Sequence, residues 1–459
     1  MFKIDIPTGA KQLIAFLKSG GHTSYVVGGC VRDFFLGKEA HDWDICTSAT
    51  PDEVCELMDA LDIPVYKTGI QHGTVTVSFY CKRFEVTTFR VDGEYEDNRR
   101  PSRVEFVCDV VEDLSRRDFT INAMAYSDAD GLIDPWGGYS DLDAKLIRCV
   151  RNPDDRFRED ALRIMRALRF ASTLGFTIEE KTAAAIHRNK HLLKNISAER
   201  IRDEMCKLLC GRNVLDILLE YADVMAVIIP ELKPCIGFEQ NNPYHKHTVY
   251  EHAAWAVNNY LGNDISIKLA LLLHDIGKPE CYSEDSNGVG HFYGHSAASE
   301  RIAEGVLKRL RFDNRTTDEV RTLVLYHDAD IKPAFTPVRR WLSKVGYQML
   351  EKLVTIRLVD ISAQKTGNTP GTDQRIADCF TVTEMMKIVS WENACLRIRD
   401  LVVKGGDIMR ECGVESGPIV GEVLKHLLNK VLDGKIENDA NDLILEAKRY
   451  LEGETQYGT

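Results

Sequence analysis

Apolar residues in this chain change their spacing once, near Pro153, and that change limits the folds open to it. Before it, helical and strand patterns alternate. Lys11–Ser19 has the spacing of a short amphipathic helix, Ser24–Val27 starts a strand, and TVTVSF (74–79) and FEVTTF (84–89) alternate with the period of strands. After it the period is 3.6, as in ALRIMRALRFA (161–171), and it stays helical almost to the C-terminus. A segment patterned for one period cannot bury its apolar face in the other conformation. The spacing therefore predicts an α/β head followed by an all-α remainder. Gly93–Pro101 (GEYEDNRRP) reads as a polar loop, and Gly237–Pro243 and Gly367–Gly371 read as linkers.

Bulk properties narrow the setting. A chain of 459 residues allows about three domains. No stretch approaches the roughly 20 apolar residues that a bilayer span needs, and Met1–Pro7 carries charge at once, without a signal-peptide pattern. The 13 cysteines are scattered with no CxxC pair, which fits buried free thiols in a reducing compartment. Cys206 and Cys210, a helical turn apart, read as core rather than as half a zinc site. A cytoplasmic protein with no membrane partner is expected. The net charge of −12 argues against nucleic acid at first sight, but Arg148–Arg212 carries 15 Lys/Arg against 9 Asp/Glu. A basic stripe on an acidic body suits a polyanion that is held and then released, although a solvated helix face has the same composition.

The first chemical constellation is Gly28-Gly29-Cys-Val-Arg32-Asp33, followed by Asp42-Trp-Asp44. Paired glycines leaving a strand and entering a helix free backbone amides to approach an anion. Residues i and i+2 of a strand point to one side, so Asp42 and Asp44 can share divalent cations that activate a hydroxyl and neutralise a leaving pyrophosphate. Glu85, on FEVTTF, has the phase to bring a third carboxylate there. A surface D-x-D is common, but not with such a turn just upstream.

Downstream come RRDFTIN, with Arg117, Asp118 and Asn122, then EDALR, with Asp160 and Arg163, and Arg200-x-x-x-Glu204-x-x-Lys207. On a helix, Asp160 and Arg163 project from one face. That spacing makes an intrahelical salt bridge or, if the pair faces a ligand, a template for a base edge. Cytosine and adenine each present an amino donor beside a ring-nitrogen acceptor, which a carboxylate next to a guanidinium matches; uracil and guanine present keto groups there instead.

GGCVRD…DWD, RRDFTIN, EDALR and RIRDEMCK, in this order and spacing over residues 25 to 210, resemble the successive motifs of class II tRNA nucleotidyltransferases and bacterial poly(A) polymerases. The resemblance implies an α/β nucleotidyltransferase head with a small mixed sheet (residues 1–147), a neck with the base-reading helix (148–212) and a body (213–243). It implies that Asp42 and Asp44 hold Mg2+, that Arg117, Asp118 and Asn122 belong to a ribose motif, and that Asp160 and Arg163 read the base. The partners implied are CTP, ATP and a tRNA 3′ end, extended by CCA with release of pyrophosphate. The loop at residues 92–103 falls where the family has a flexible loop implicated in moving from C to A addition. GGDIMRECGVESGPIVGEVLKHLLNKVLDG (405–434) resembles tails of the same family and lies in a helical C-terminal region (369–459).

A second constellation begins at His252, 22 residues before His274-Asp275 in ALLLHDIGKP. An apolar helix ending in His-Asp-x-Gly-Lys resembles the HD-domain phosphohydrolases, and His295, His327 and Asp360 follow at intervals typical of them. Residues 244–368 are thus expected to form an HD domain, with His252, His274, Asp275, His295, His327 and Asp360 as metal ligands. A lone His on such a helix is more often a satisfied core residue, but six positions together are not. His245 and His247 compete with His252 for the first place. The donor set suits a dinuclear site of Mn, Fe, Co, Ni or Zn. Three other readings stay open: a poly(A) polymerase or a CC- or A-adding specialist, an HD phosphohydrolase with an inactive polymerase head, and a noncatalytic RNA-binding protein.

Overall fold

The computed structural model describes residues 3–40, 42–93, 104–242, 246–364, 371–392 and 394–455. Most of the loop at 92–103, His245 and most of Gly367–Gly371 lie outside these. The chain divides into two compact units, Met1–Lys233 with Val306–Phe312, and Pro234–Gly305 with Asp313–Thr459. Of the five segments expected from sequence, 1–147, 148–212 and 369–459 each fall within one unit, whereas 213–243 and 244–368 cross the division.

The first unit opens with the helix Thr8–Ser19 and carries strands β1 (Ser24–Val27), β2 (Ile45–Thr47), β3 (Val65–Gly69), β4 (Thr74–Phe79), β5 (Lys82–Thr88), β6 (Arg90–Asp92), β7 (Val104–Phe106), β8 (Ala125–Ser127) and β9 (Gly131–Ile133). Seven make one sheet in the order β3-β4-β5-β2-β1-β8-β9, while β6 and β7 pair separately. The sheet is mixed: β2 runs parallel to β5, and every other neighbouring pair is antiparallel. Strand β1 (SYVV) lies inside the sheet and is buried at all four positions, whereas β4 buries only Val75 and Val77. Strand β5 starts two residues earlier than its pattern suggests. Tyr80 and Cys81 both take positive φ (51° and 57°), forming the two-residue turn that pairs Phe79 with Lys82. Neither residue type signals such a turn, so the sequence concealed it.

Helices dominate from Pro153. Asn152 caps the helix Pro153–Glu159, whose first position is Pro153, and Leu162–Leu174, Glu180–Asn189 and Ala198–Leu209 follow. Helix Leu162–Leu174 buries Ile164, Met165, Ala167, Leu168 and Ala171, as its period predicts. Two short strand pairs interrupt this region, β10 (Leu146–Ile147) with β11 (Thr177–Ile178), and β12 (Ser283–Glu284) with β13 (Gly290–His291). Two-residue strands are too short to show a period.

The second unit gathers Phe335–Val345, Tyr347–Ala363 and Thr372–Trp391 around one core, with Leu342, Leu350, Val354, Val382 and Met386. Gly405–Cys412, Pro418–Leu432 and Ala440–Thr455 build another around Ile408, Val423, Leu427 and Leu443. All 13 cysteines are free. No helix among the described residues is long and apolar enough to cross a membrane.

One contact ties the sheet unit to its motif segment. The short helix Gly138–Asp143 packs on Thr120–Asn122, and a methyl group at Gly138 would come 2.2 Å from the Thr120 carbonyl oxygen. Backbone cannot yield as a flexible side chain does. Gly138→Ala should therefore lower stability by about 1–3 kcal/mol in denaturant melting, the usual cost of overpacking; an unchanged midpoint would show that the segment gives way freely.

Candidate functional site

Gly28 ends β1 at φ +79°, a region open to glycine, and a Cβ there would lie 2.8 Å from Arg117 Nη1. The turn is therefore glycine because a guanidinium passes against it. Gly29 opens the helix Gly29–Phe35, from which Arg32 donates to Asn122 Oδ1 (2.6 Å) and to Asp33 Oδ1 (2.9 Å). Asn122 donates in turn to Asp118 Oδ1 (3.1 Å), and Arg166 grips Asp118 Oδ2 through Nε (2.7 Å) and Nη2 (2.6 Å). Burial raises the Asp118 pKa, but Arg166, the Asn122 hydrogen bond and Arg163 outweigh it and hold the carboxyl at about 2.

Asp42 and Asp44 precede β2 rather than lying in it. The chain is already extended beside β1, since Val27 N donates to the Asp44 carbonyl (3.0 Å), and Trp43 turns inward between an exposed Asp42 and a half-buried Asp44. The parallel register that sets Ile45 opposite Val86 brings Glu85 alongside Asp44. Burial raises the Asp44 pKa first and Glu85 adds to it, while Arg117 works against them and Asp42 again raises it. Glu85 and Asp42 thus add negative charge beside Asp44 and Arg117 opposes it, although among the described residues the three carboxylates do not form a set with all ligand atoms within 4.8 Å of one another.

Asp160 and Arg163 do not share a helix face as expected. The helix ends at Glu159, Asp160 is extended (φ −136°, ψ 103°), and a new helix starts at Leu162. The reason is local: the Asp160 carboxylate accepts from Leu162 N (3.0 Å), and so starts the next helix instead of continuing the last. Nor do the two side chains pair. Asp160 pairs with Arg200 (2.8 Å), whereas the buried Arg163 pairs with Glu159 (2.5 Å) and donates to the Arg116 carbonyl (3.0 Å). Both nevertheless line one cavity of 390 Å³ with Gly28, Asp44, Asn122 and Arg200.

Arg116, the first residue of RRDFTIN, lines the same cavity, as do Arg166 and Phe170, which were not singled out in the sequence. Their signal was present, because Arg163, Arg166 and Phe170 recur at i, i+3 and i+7 on one helix face. Arg169 stacks on Phe170 (3.9 Å) and pairs with Glu204 (2.5 Å), which gives the Arg200/Glu204 motif a place in the same wall.

In the second unit, four imidazoles and two carboxylates converge. His252 Nε2 lies 2.9 Å from Asp360 Oδ1 and 3.2 Å from His274 Nε2; His295 and His327 bring their Nε2 atoms within 3.2 Å of each other. Asp275 stands between, with Oδ2 3.2 Å from His274 and Oδ1 3.4 Å from His295. The Nδ1 atoms of His274, His295 and His327 each lie 2.7–2.9 Å from the carbonyl three residues earlier, which fixes the tautomer and turns the Nε2 lone pairs inward. Two sets, His252/His274/Asp275 and Asp275/His295/His327, each hold their ligand atoms within 4.8 Å and share Asp275. His247, the rival first ligand, stacks instead on Trp255. Lys278, unassigned in the sequence reading, contacts Asp275 Oδ2 (2.7 Å) and Gln240 Oε1 (2.8 Å). A cavity of 360 Å³ opens over the cluster.

Known proteins match along the whole chain. The Poly A polymerase head domain matches residues 24–148, "Probable RNA and SrmB- binding site of polymerase A" residues 175–236, and tRNA nucleotidyltransferase domain 2 residues 293–447. The CCA-adding enzyme of Ligilactobacillus salivarius is 32% identical over 98% of both chains, and that of Bacillus velezensis 33% identical over 95% of this chain and 96% of its own. Among solved structures, the Bacillus stearothermophilus CCA-adding enzyme in complex with CTP superposes with a TM-score of 0.73 at 29% identity, covering 98% of both chains. With relatives above 30% identity over nearly the full length of both chains and a matching polymerase head domain, the chain belongs to the CCA-adding enzyme family.

Proposed function

We propose that this chain adds C, C and A to tRNA 3′ ends from CTP and ATP, and that one observation carries the reading: a single cavity joins Asp44 of the carboxylate set to Asp160 and Arg163. Divalent cations held by Asp42 and Asp44, with Glu85 as a third carboxylate, supply Lewis acidity to the attacking hydroxyl and the leaving pyrophosphate; Mg2+ fits oxygen donors. The chain's own residues do the rest. Gly28 and Gly29 let the backbone approach the triphosphate. Arg117 and Arg32 offer positive charge beside it, and the Asp118–Asn122 pair would hold the ribose, as the family motif implies. Asp160 accepts from an exocyclic amino group and Arg163 donates to the ring acceptor, so C and A fit where U and G meet like partners. The relatives' name, and structures of relatives described with CTP, ATP and tRNA, support these partners. A second activity is favoured by the His/Asp cluster: metal-dependent phosphoester hydrolysis. Imidazole-rich donors suit a transition metal, and Asp275 reaches both ligand sets, as a bridging carboxylate would.

Incubating the protein with end-trimmed tRNA and each labelled NTP, then sequencing the product, tests the main reading and separates CCA addition from poly(A), CC or A addition. Asp42→Ala or Asp44→Ala should lower incorporation of both C and A on the order of 10³-fold while tRNA binding survives, since a lost cation clamp weakens the transition state and not the tRNA contacts. Turnover in the double variant would place the active site elsewhere. Asp160→Ala and Arg163→Ala should each relax base choice, removing about 1–3 kcal/mol of discrimination against U and G. A uniform loss of rate with U and G still excluded would make the pair structural. His274→Ala with Asp275→Ala should abolish metal-dependent hydrolysis of 2′,3′-cyclic nucleotides yet leave CCA addition near wild type. A melting curve guards against simple unfolding; a folded double variant that no longer adds CCA would refute separability.

A further inference from the structure

The wall of the His/Asp cavity carries a side chain that the hydrolase reading does not use. Tyr293 lines the cavity with Asp275, His295 and His327, yet its side chain is 79% exposed. The ring is nevertheless held. It stacks on His291 with centroids 5.4 Å apart and planes 7° from parallel, its Oη lies 3.5 Å from His291 Nδ1, and His291 Nε2 lies 3.2 Å from Asp285. Its backbone is held as well. Strand β13 pairs with β12 on one side, and on the other Gly294 turns at φ +80° into the helix that begins with His295. A positioned aromatic ring with one face against His291 and the other open gains little burial from folding alone.

We propose, resting on the hydrolase reading above, that Tyr293 is the specificity-determining residue of this second site, a platform on which the base of a nucleoside phosphoester stacks while its phosphate meets the His/Asp cluster. The site needs such a contact. Its lining holds Asp275, Asp360 and Asp328, of which Asp275 is paired with Lys278 and the other two with Arg357, so the protein's own cations are already engaged and offer an anionic ester little attraction beyond any bound cations. A nucleotide carries both halves that the cavity presents, an anion for the cluster and a planar ring for Tyr293. Base–aromatic stacking tolerates any base, so the platform selects nucleotides as a class and not one of them. The volume of 360 Å³ lies within the ordinary range of small-ligand sites, about 300–1,000 Å³.

The test compares two cyclic phosphodiesters on the full-length, Mn2+-loaded protein: adenosine 2′,3′-cyclic phosphate, and glycerol 1,2-cyclic phosphate, which has no base. Wild type should prefer the nucleotide. In Tyr293→Ala the ratio of the two kcat/KM values should fall on the order of 10- to 100-fold, mostly through KM for the nucleotide, and Tyr293→Trp should keep it. A parallel arm with RNA ending in a 2′,3′-cyclic phosphate tells a free nucleotide from a chain end, and the same loss in both arms supports the platform. If wild type hydrolyses both esters and Tyr293→Ala leaves their ratio unmoved, whether the two rates fall together or not at all, the platform is wrong and the hydrolase reading stands. If wild type hydrolyses neither, the hydrolase reading fails and takes the platform with it.

Discussion

Asp118 is buried, and its charge has to be answered inside the protein. Oδ1 accepts from Phe119 N (2.8 Å) and Asn122, and Oδ2 accepts from Arg166. Removing a carboxylate from water costs several kcal/mol unless partners replace the solvent, so the partners cannot be incidental. They come from different elements: Asn122 from the motif segment of the sheet region, Arg166 from helix Leu162–Leu174. Arg166 also lies 4.0 Å from Glu204, which Arg169 engages, and Glu204 belongs to helix Ala198–Leu209. A chain of alternating charges thus sets the angle at which helices meet sheet. The cavity between Asp44 and Asp160 exists because that angle is held.

The same principle gives Asp160 and Arg163 their directions. Asp160 and Arg163 each have an opposite charge of their own, Arg200 and Glu159 respectively, so neither collapses onto the other. A direct pair would have met its hydrogen-bonding needs internally. Held apart by outside partners, both reach the cavity wall, at the cost of breaking the helix at Asp160. The break is therefore part of the site, which is where local rules of sequence are most often overridden.

The second unit handles buried charge differently. Asp275 and Asp360 are surrounded mainly by imidazoles, with the Lys278 ammonium beside Asp275 and the Arg357 guanidinium 3.8 Å from Asp360. Imidazoles with anchored Nδ1 atoms are directional donors of intermediate softness, whereas the carboxylates near β2 are hard ones. One chain thus carries two donor sets that would select different cations.

The sequence by itself determined the parts of this protein that depend on spacing along the chain. The change of period near Pro153, the strands TVTVSF and FEVTTF, the helix of ALRIMRALRFA and the family motifs were all legible, because helices and strands are built from neighbours. The His-Asp dipeptide and its distant histidines were legible too, since those residue types seldom recur together without a purpose. Only the tertiary structure decided how they meet. The Tyr80-Cys81 turn and the break at Asp160 are local but carry no signal in their residue types, whereas the exchange of Asp160's partner from Arg163 to Arg200, 40 residues away, depends on a contact between elements that no window of sequence contains. So does Tyr293, an ordinary aromatic in the sequence, which acquires its position only when His291 beneath it and Gly294 beyond it fix the ring at the mouth of a cavity. Local propensity is a sum over near neighbours, whereas a site is closed by residues far apart in the chain, and packing alone chooses among the pairings that their charges allow.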